Sequence, residues 1–215
     1  MLMLACAKKV RLLDATLRKE GWFASKALLS PMGALHGETA GLIAFGNIAR
    51  AMAKRCQVLG MTVIASDPFI APETFAEAGV ESVSLEELAE RSDYVSCHLP
   101  LGPKTRGFVD ASFFNRMKPS AYFINTSRGA VVKEADLIAA LQEGRIAGAG
   151  LDVTAPEPLP DDSSLWDAPN VILSQHTSGS SPFNADRITT VFLDNLGRYL
   201  QGEPLVNVVD PVLGY

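Results

Sequence analysis

Six short apolar runs alternate along this chain with helix-patterned segments, and that alternation restricts the fold more than any other feature. The runs cover residues 39–45, 61–66, 94–98, 121–125, 149–153 and 171–174. Their length and their β-branched and aromatic content suit strands. Helices or long connections between successive strands leave no tight hairpins, so neighbouring strands run parallel. Parallel strands are covered on both faces, and such strands read as nearly continuous apolar stretches. The expectation is an α/β domain on a doubly wound parallel sheet.

The helical segments carry their own punctuation. Residues 47–59 form an amphipathic helix that Gly60 ends as a C-cap. Ser84-Leu85-Glu86-Glu87 is a capping box that opens another. Residues 133–142 make a third, with Gly144 just beyond, and residues 182–201 a long last one. Near the start, Leu2, Cys6, Val10 and Leu13 recur at helical spacing, so residues 1–19 read as one helix. Residues 154–170 are rich in Pro and Asp and read as an irregular loop. The strand pattern resumes directly after them, so they are not a domain linker. At 215 residues, one domain with a real core is the natural count.

Composition narrows the function. The net charge of −5 argues against nucleic acid, which demands a clustered basic surface. Cys6, Cys56 and Cys97 form no C-x-x-C pair and are odd in number. They suggest neither a disulfide framework nor a metal site, and they suit a reducing compartment. No apolar run approaches the roughly 20 residues of a spanning helix. The apolar opening lacks a basic leader and is shorter than the about 7–15 residues of a signal-peptide core. A cytoplasmic protein is expected, with no membrane or nucleic-acid partner.

The first predicted strand runs into Ala44-Phe45-Gly46-Asn47-Ile48-Ala49 and then a helix. This is the position of the G-x-G-x-x-G turn of a Rossmann domain, here written A-x-G-x-x-A. Gly46 lets the backbone approach a pyrophosphate, whose charge meets the helix N-terminus. Phe45, Asn47 and Ile48 complete the turn. Ala44 departs from the pattern, and its methyl crowds the turn. Asp67 follows Gly46 by 21 residues, at the end of the second strand. A carboxylate there accepts hydrogen bonds from ribose hydroxyls and repels a 2′-phosphate, favouring NAD over NADP. Read alone, Asp67-Pro68 is also a turn former. By the same standard, His98 is a hydrogen-bonded strand-end histidine, and His36 a residue of a Gly-rich turn.

Three motifs carry the chemistry. Arg128 lies in Ile124-Asn125-Thr126-Ser127-Arg128-Gly129. Glu157 lies in Gly150-Leu151-Asp152-Val153-Thr154-Ala155-Pro156-Glu157-Pro158. His176 lies in Leu173-Ser174-Gln175-His176-Thr177-Ser178-Gly179. Singly, each is an ordinary surface or structural residue. Together an arginine, a carboxylate and an imidazole are the parts needed to hold an anion, orient a histidine and move a proton. These motifs, in this order, resemble the D-isomer-specific 2-hydroxyacid dehydrogenase family, and the resemblance covers nearly the whole chain.

The resemblance implies reversible hydride transfer between NAD and a 2-hydroxy or 2-keto acid. It implies that His176 is the acid–base group and that Glu157 bonds its other ring nitrogen, stabilising the imidazolium. Arg128 would hold the substrate carboxylate with its guanidinium fork. Glutamate at 157 separates the chain from formate dehydrogenase relatives, which carry glutamine there. The resemblance also sets His98, Leu99, Pro100 and Thr105 along the cofactor and Asp152 against the nicotinamide carboxamide. Thr126, Ser127, Ser178 and Gly179 would complete the pocket, with Arg128 and His176 also lining the cofactor.

Family members carry a second domain that binds and covers the substrate. On that pattern, residues 1–215 are a single dinucleotide-binding domain. Residues 1–20 would be the inter-domain helix, which with its neighbours carries a homodimer contact. Residues 204–215 would head back toward the substrate domain. The expectation is a polypeptide that binds NAD but turns over poorly alone. Two other readings stay open: a non-catalytic NAD-binding or NAD-sensing module, and an inactive fragment. The acid is left open among glyoxylate, hydroxypyruvate and 3-phosphoglycerate types.

Overall fold

The structure, a computed structural model, describes residues 1–29 and 32–210. It divides into two compact units, Met1–Gln175 and His176–Tyr215. The first is built on seven parallel strands. They are β1 (Thr39–Ile43), β2 (Thr62–Ser66), β3 (Glu81–Ser82), β4 (Tyr94–Cys97), β5 (Tyr122–Asn125), β6 (Gly148–Leu151) and β7 (Val171–Leu173). Their order is β3-β2-β1-β4-β5-β6-β7, so the winding reverses between β1 and β4. The doubly wound parallel sheet expected from the alternation is therefore present. Only β3 was not foreseen: its two residues are exposed and carry no apolar signal.

Residues alternate between the two faces, and each face has its own core. Ile43, Ile64, Val95 and Phe123 pack on one side, Leu42, Val63, Tyr94 and Ile124 on the other. The first core is completed by α6 (Leu85–Arg91), α7 (Ala111–Phe114) and α8 (Glu134–Gln142). The second is completed by α1 (Leu2–Ala7), α4 (Asn47–Val58) and α5 (Pro72–Glu77). The capping box at α6 is formed in both directions: Ser84 Oγ accepts from Glu87 N–H, and the Glu87 carboxylate accepts from Ser84 N–H. Gly60 lies just past α4 with φ +77°, as a C-cap requires. Residues 154–170 form neither helix nor strand. All three cysteines are buried and free. Burial pushes the thiols up, to about 12 for Cys6 and about 11 for Cys56.

The single helix expected over residues 1–19 is two. After α1 the chain turns at Lys9, whose φ is +47°, and α2 runs Val10–Glu20. A third helix, α3, follows at Trp22–Ala27. The break has a packing cause. Leu2, Met3, Cys6 and Ala7 are buried against the sheet, where Gly150 lets Leu2 Cβ approach closely. Helix α2 buries nothing. Its Arg11 instead reaches the Val171 carbonyl, at 2.9 Å. Apolar spacing continues through both helices, so periodicity does not register one left-handed residue between them.

In the second unit the turn from His176 to Gly179 leads to α9 (Asn184–Gln201), which Gly202 ends in the left-handed region. The Asn195 side chain holds Val206 through both its N–H and its carbonyl, at 2.8 and 3.0 Å. Val206 lies in the segment expected to be a C-terminal return. The part of that segment beyond Asp210 lies outside the described residues. Among the described residues no helix is long and apolar enough to cross a membrane.

Strand β1 is the most crowded. A Cβ on Gly41 would stand 2.0 Å from Ser92 Oγ and 2.9 Å from Leu88. Gly41→Ala should cost about 1–3 kcal/mol as an overpacked core, read as a lowered urea midpoint with an unchanged m-value.

Candidate active site

The loops that follow the strands at their carboxyl ends carry the candidate residues of the first unit. The turn after β1 starts with Ala44, at φ +68° and buried. Its N–H donates to the Ser66 carbonyl, which ties the turn to the end of β2. Phe45 is fully buried and stacks on Phe75, with ring centroids 4.7 Å apart. Gly46 caps α4, whose first residues are Asn47 and Ile48. Gly46 has φ −73°, so the turn demands no glycine conformation there. A Cβ at Gly46 would meet nothing within 4 Å. The glycine leaves open space in front of a twelve-residue helix N-terminus, the shape a pyrophosphate needs.

Asp67 is half-buried beside this turn. Its carboxylate accepts from Phe45 N–H at 2.9 Å and from Phe69 N–H at 3.0 Å. It therefore links β2 to the turn after β1, a role that spacing alone did not show. Two acceptor oxygens retain lone pairs for further donors.

The loop after β4 is held locally. Thr105 Oγ1 donates to the Pro100 carbonyl at 2.6 Å and accepts from Gly102 N–H at 2.8 Å. Leu99 packs against the first core. His98 Nε2 lies 3.1 Å from Ser96 Oγ. Burial lowers the His98 pKa to about 4, so its ring is neutral at physiological pH. This agrees with a hydrogen-bonded strand-end histidine.

After β5 the buried Asn125 builds the turn that carries Arg128. Its Oδ1 accepts from Ser127 N–H at 3.0 Å and from Ser127 Oγ at 2.8 Å. Its Nδ2 donates to the Arg128 carbonyl at 3.1 Å. Thr126 is half-buried in the same turn. The Arg128 guanidinium is exposed and donates to the Ser127 carbonyl at 2.7 Å. It makes no ion pair among the described residues. Next in the chain, Gly129 touches the Glu157 loop: a Cβ there would stand 1.8 Å from the Thr154 carbonyl oxygen. No side chain fits that approach, because the obstacle is backbone.

After β6, Asp152 is buried and accepts from Ser174 Oγ at 2.6 Å. Its N–H donates to the Asn125 carbonyl. In the next residues, Glu157 Oε1 accepts from Thr154 N–H at 3.0 Å and Thr154 Oγ1 donates to the Pro156 carbonyl. The Ala155–Pro156 and Glu157–Pro158 bonds are cis. Arg128 and Glu157 thus stand on adjoining loops. Beside these loops lies a small, partly open pocket lined by Asn125, Val132, Glu134, Leu151 and Val153 among others. Asn125 was legible only as part of the Arg128 motif, because a buried amide that shapes a turn leaves no periodic signal.

His176 opens the second unit, directly after Gln175, with φ +55°. That conformation is uncommon for a non-glycine residue. Ser180 N–H donates to the Thr177 carbonyl at 2.9 Å, and Asn184 Nδ2 to the Gly179 carbonyl at 2.8 Å. These bonds shape the turn that contains Ser178.

Residues 1–178 match the model of the D-isomer specific 2-hydroxyacid dehydrogenase NAD-binding domain. The chain belongs to this family. Among dehydrogenase relatives, a glyoxylate reductase of Korarchaeum cryptofilum is 38% identical over 213 residues, covering 97% of this chain and 63% of that protein. A D-3-phosphoglycerate dehydrogenase of Mycobacterium bovis is 34% identical, covering 97% of this chain and 39% of that protein. The solved D-mandelate dehydrogenase of Rhodotorula graminis superposes with a TM-score of 0.89 at 30% identity, covering 99% of this chain and 64% of that one. The chain thus spans less than two thirds of the length of these family members.

Ala44 supplies a direct test of the turn. Its left-handed backbone costs about 1–2 kcal/mol. Ala44→Gly removes that strain but also a buried methyl and about 0.4–1 kcal/mol of unfolded-state restriction, so it should change stability little. Ala44→Val adds a β-branched residue in the same conformation and should destabilise by about 2 kcal/mol in chemical denaturation.

Proposed function

We propose that this chain is the nucleotide-binding part of an NAD-dependent dehydrogenase that interconverts a 2-hydroxy acid and its 2-keto acid. The observation that carries the reading is the open Gly46 turn on the same strand edge as the adjoining Arg128 and Glu157 loops. The Gly46 gap and the α4 N-terminus suit a pyrophosphate, and Asp67 suits the ribose hydroxyls. Phe45, Asn47, Ile48, His98, Leu99, Pro100, Thr105, Thr126, Ser127, Asp152, Ser178 and Gly179 make up the rest of the proposed cofactor site. When bound, NAD supplies or takes up the hydride.

The protein's own groups handle charge and protons. Arg128 fixes the substrate carboxylate and polarises the neighbouring carbonyl. Its exposed guanidinium, which donates to the preceding carbonyl, is available for an anionic partner. His176 takes the hydroxyl proton as the hydroxy acid is oxidised and returns it to the oxygen in the reverse direction. Glu157 supplies the carboxylate that stabilises the imidazolium. A short 2-hydroxy or 2-keto acid is the substrate class that the glyoxylate reductase and phosphoglycerate dehydrogenase relatives support.

The proposal includes a homodimer formed through the α1–α3 region, where Trp22 and Phe23 are 69% and 85% exposed. It also reads residues 1–215 as one nucleotide-binding domain that partners a substrate domain. Three buried, unpaired cysteines support a cytoplasmic setting.

Two measurements check this reading. NADH titration followed by fluorescence should show saturable binding to the wild type. Gly46→Val, whose Cβ meets no protein atom within 4 Å, should keep the fold yet weaken binding by about tenfold or more, the equivalent of one lost strong contact. Equal binding by both would sink the assignment of the turn.

In steady-state reduction of glyoxylate or hydroxypyruvate by the chain joined to a substrate domain, His176→Gln should lower kcat by about 10²–10⁴-fold. Arg128→Lys should chiefly raise the KM of the keto acid, since a point charge does not replace the guanidinium fork. With a substrate domain joined to the chain, NADH binding without any turnover of 2-keto acids would favour the sensing module.

A further inference from the structure

We infer that Glu134 is a positioning residue: its carboxylate tethers the Ala155 N–H and thereby sets where the Glu157 carboxylate stands beside Arg128. The inference rests on the dehydrogenase reading for its consequence, but not for its geometry. Glu134 is the first residue of α8, and its Oε2 accepts from Ala155 N–H at 3.0 Å, across 21 residues of chain. A carboxylate at the start of a helix ordinarily caps the helix's own unpaired N–H groups. Here it reaches outward to another loop.

From Thr154 to Pro158 only three residues own a backbone N–H, because Pro156 and Pro158 have none. The Thr154 N–H is taken by Glu157 itself. The Ala155 N–H reaches outside the segment to α8, and Glu134 is its acceptor. On the other side, Thr154 is pressed against Gly129, which directly follows Arg128. Gly129–Val131 forms a short 3₁₀ turn that leads through Val132 and Lys133 into α8. Arg128, Gly129, α8, Glu134, Ala155, Thr154 and Glu157 thus form a closed circuit of covalent and non-covalent links. Glu134 is the one side-chain link in it that belongs to neither catalytic loop. If the bond to Ala155 is lost, the Glu157 loop loses its side-chain link to α8 while the Arg128 end stays on Asn125.

The test uses the full chain with Glu134→Ala, Glu134→Gln and Glu134→Asp. Gln keeps an oxygen that can accept the same bond. Asp keeps the charge but shortens the reach by one methylene, which serves if the alanine variant does not fold. Three readouts apply: amide hydrogen exchange at Thr154 and Ala155, the carboxyl NMR chemical shift of Glu157, and NADH affinity.

In the Ala and Asp variants, exchange at Ala155 should quicken by about tenfold, the factor one ordinary hydrogen bond supplies. The Glu157 carboxyl NMR signal should move with it. Gln should restore both, with NADH affinity unchanged throughout. In turnover assays with a substrate domain joined to the chain, the Ala variant should lose kcat while its KM for NADH holds. Wild-type exchange and an unmoved Glu157 signal in the Ala or Asp variant would overturn the inference, and so would parallel losses of thermal midpoint and NADH affinity. A wild type that neither binds NADH nor turns over would instead sink the dehydrogenase reading, while exchange and the carboxyl signal, which need neither, would still judge the tether.

Discussion

Burial of the sheet on both faces is the constraint from which the rest of the first unit follows. Each strand must offer apolar side chains up and down, so Leu42 and Ile43, or Phe123 and Ile124, serve different cores. Two covered faces require helical crossovers, and crossovers make the strands parallel. Parallel strands deliver all their following loops to one edge. The turn after β1, the Arg128 turn after β5 and the Glu157 loop after β6 therefore share that edge without any contact needing to draw them together. The reversal of winding at β1 opens the crevice where ligands of such sheets bind.

Within that edge, position is fixed by close backbone approaches more than by ion pairs. Gly129 against Thr154 is the tightest, and it brings the loops of Arg128 and Glu157 together. Asn125 shapes one loop and Glu134 holds the other. Asp67 joins the end of β2 to the turn after β1 through Phe45 N–H. Ion pairs such as Arg18–Asp14 and Arg116–Glu90 lie on exposed surface and contribute little by comparison. Local strain is concentrated where the chain must turn sharply: Ala44 and His176 both adopt positive φ. Such strain persists only where surrounding structure over-determines it. At Ala44 that structure is the buried Phe45 and the bond to Ser66.

The candidate site was legible in outline because its chemistry needs particular residue types. Gly46 and Asp67 were found from spacing, and Arg128, Glu157 and His176 from motifs. The holding residues were not. Asn125 and Glu134 act through partners that lie near and far in the chain, and nothing in composition or periodicity marks a side chain that bonds a distant N–H. Gly129 looked like a motif residue; the reason for it is a backbone 25 positions away at Thr154. The same limit applied to the opening helices. Apolar spacing continued across Lys9, while the sheet held α1 and left α2 outside.

By itself the sequence determined the alternation of strands and helices, hence the parallel sheet, the edge on which its loops gather and the family to which the chain belongs. Hydrophobic periodicity is a local property, and in the sheet it is enough to mark the strands as buried. Only the tertiary structure decided where the first helix breaks, that Asp67 joins β2 to the turn after β1, and that Glu134 and Gly129 set the Glu157 loop beside Arg128. Those outcomes depend on distances between residues far apart in the chain, which a one-dimensional pattern does not contain.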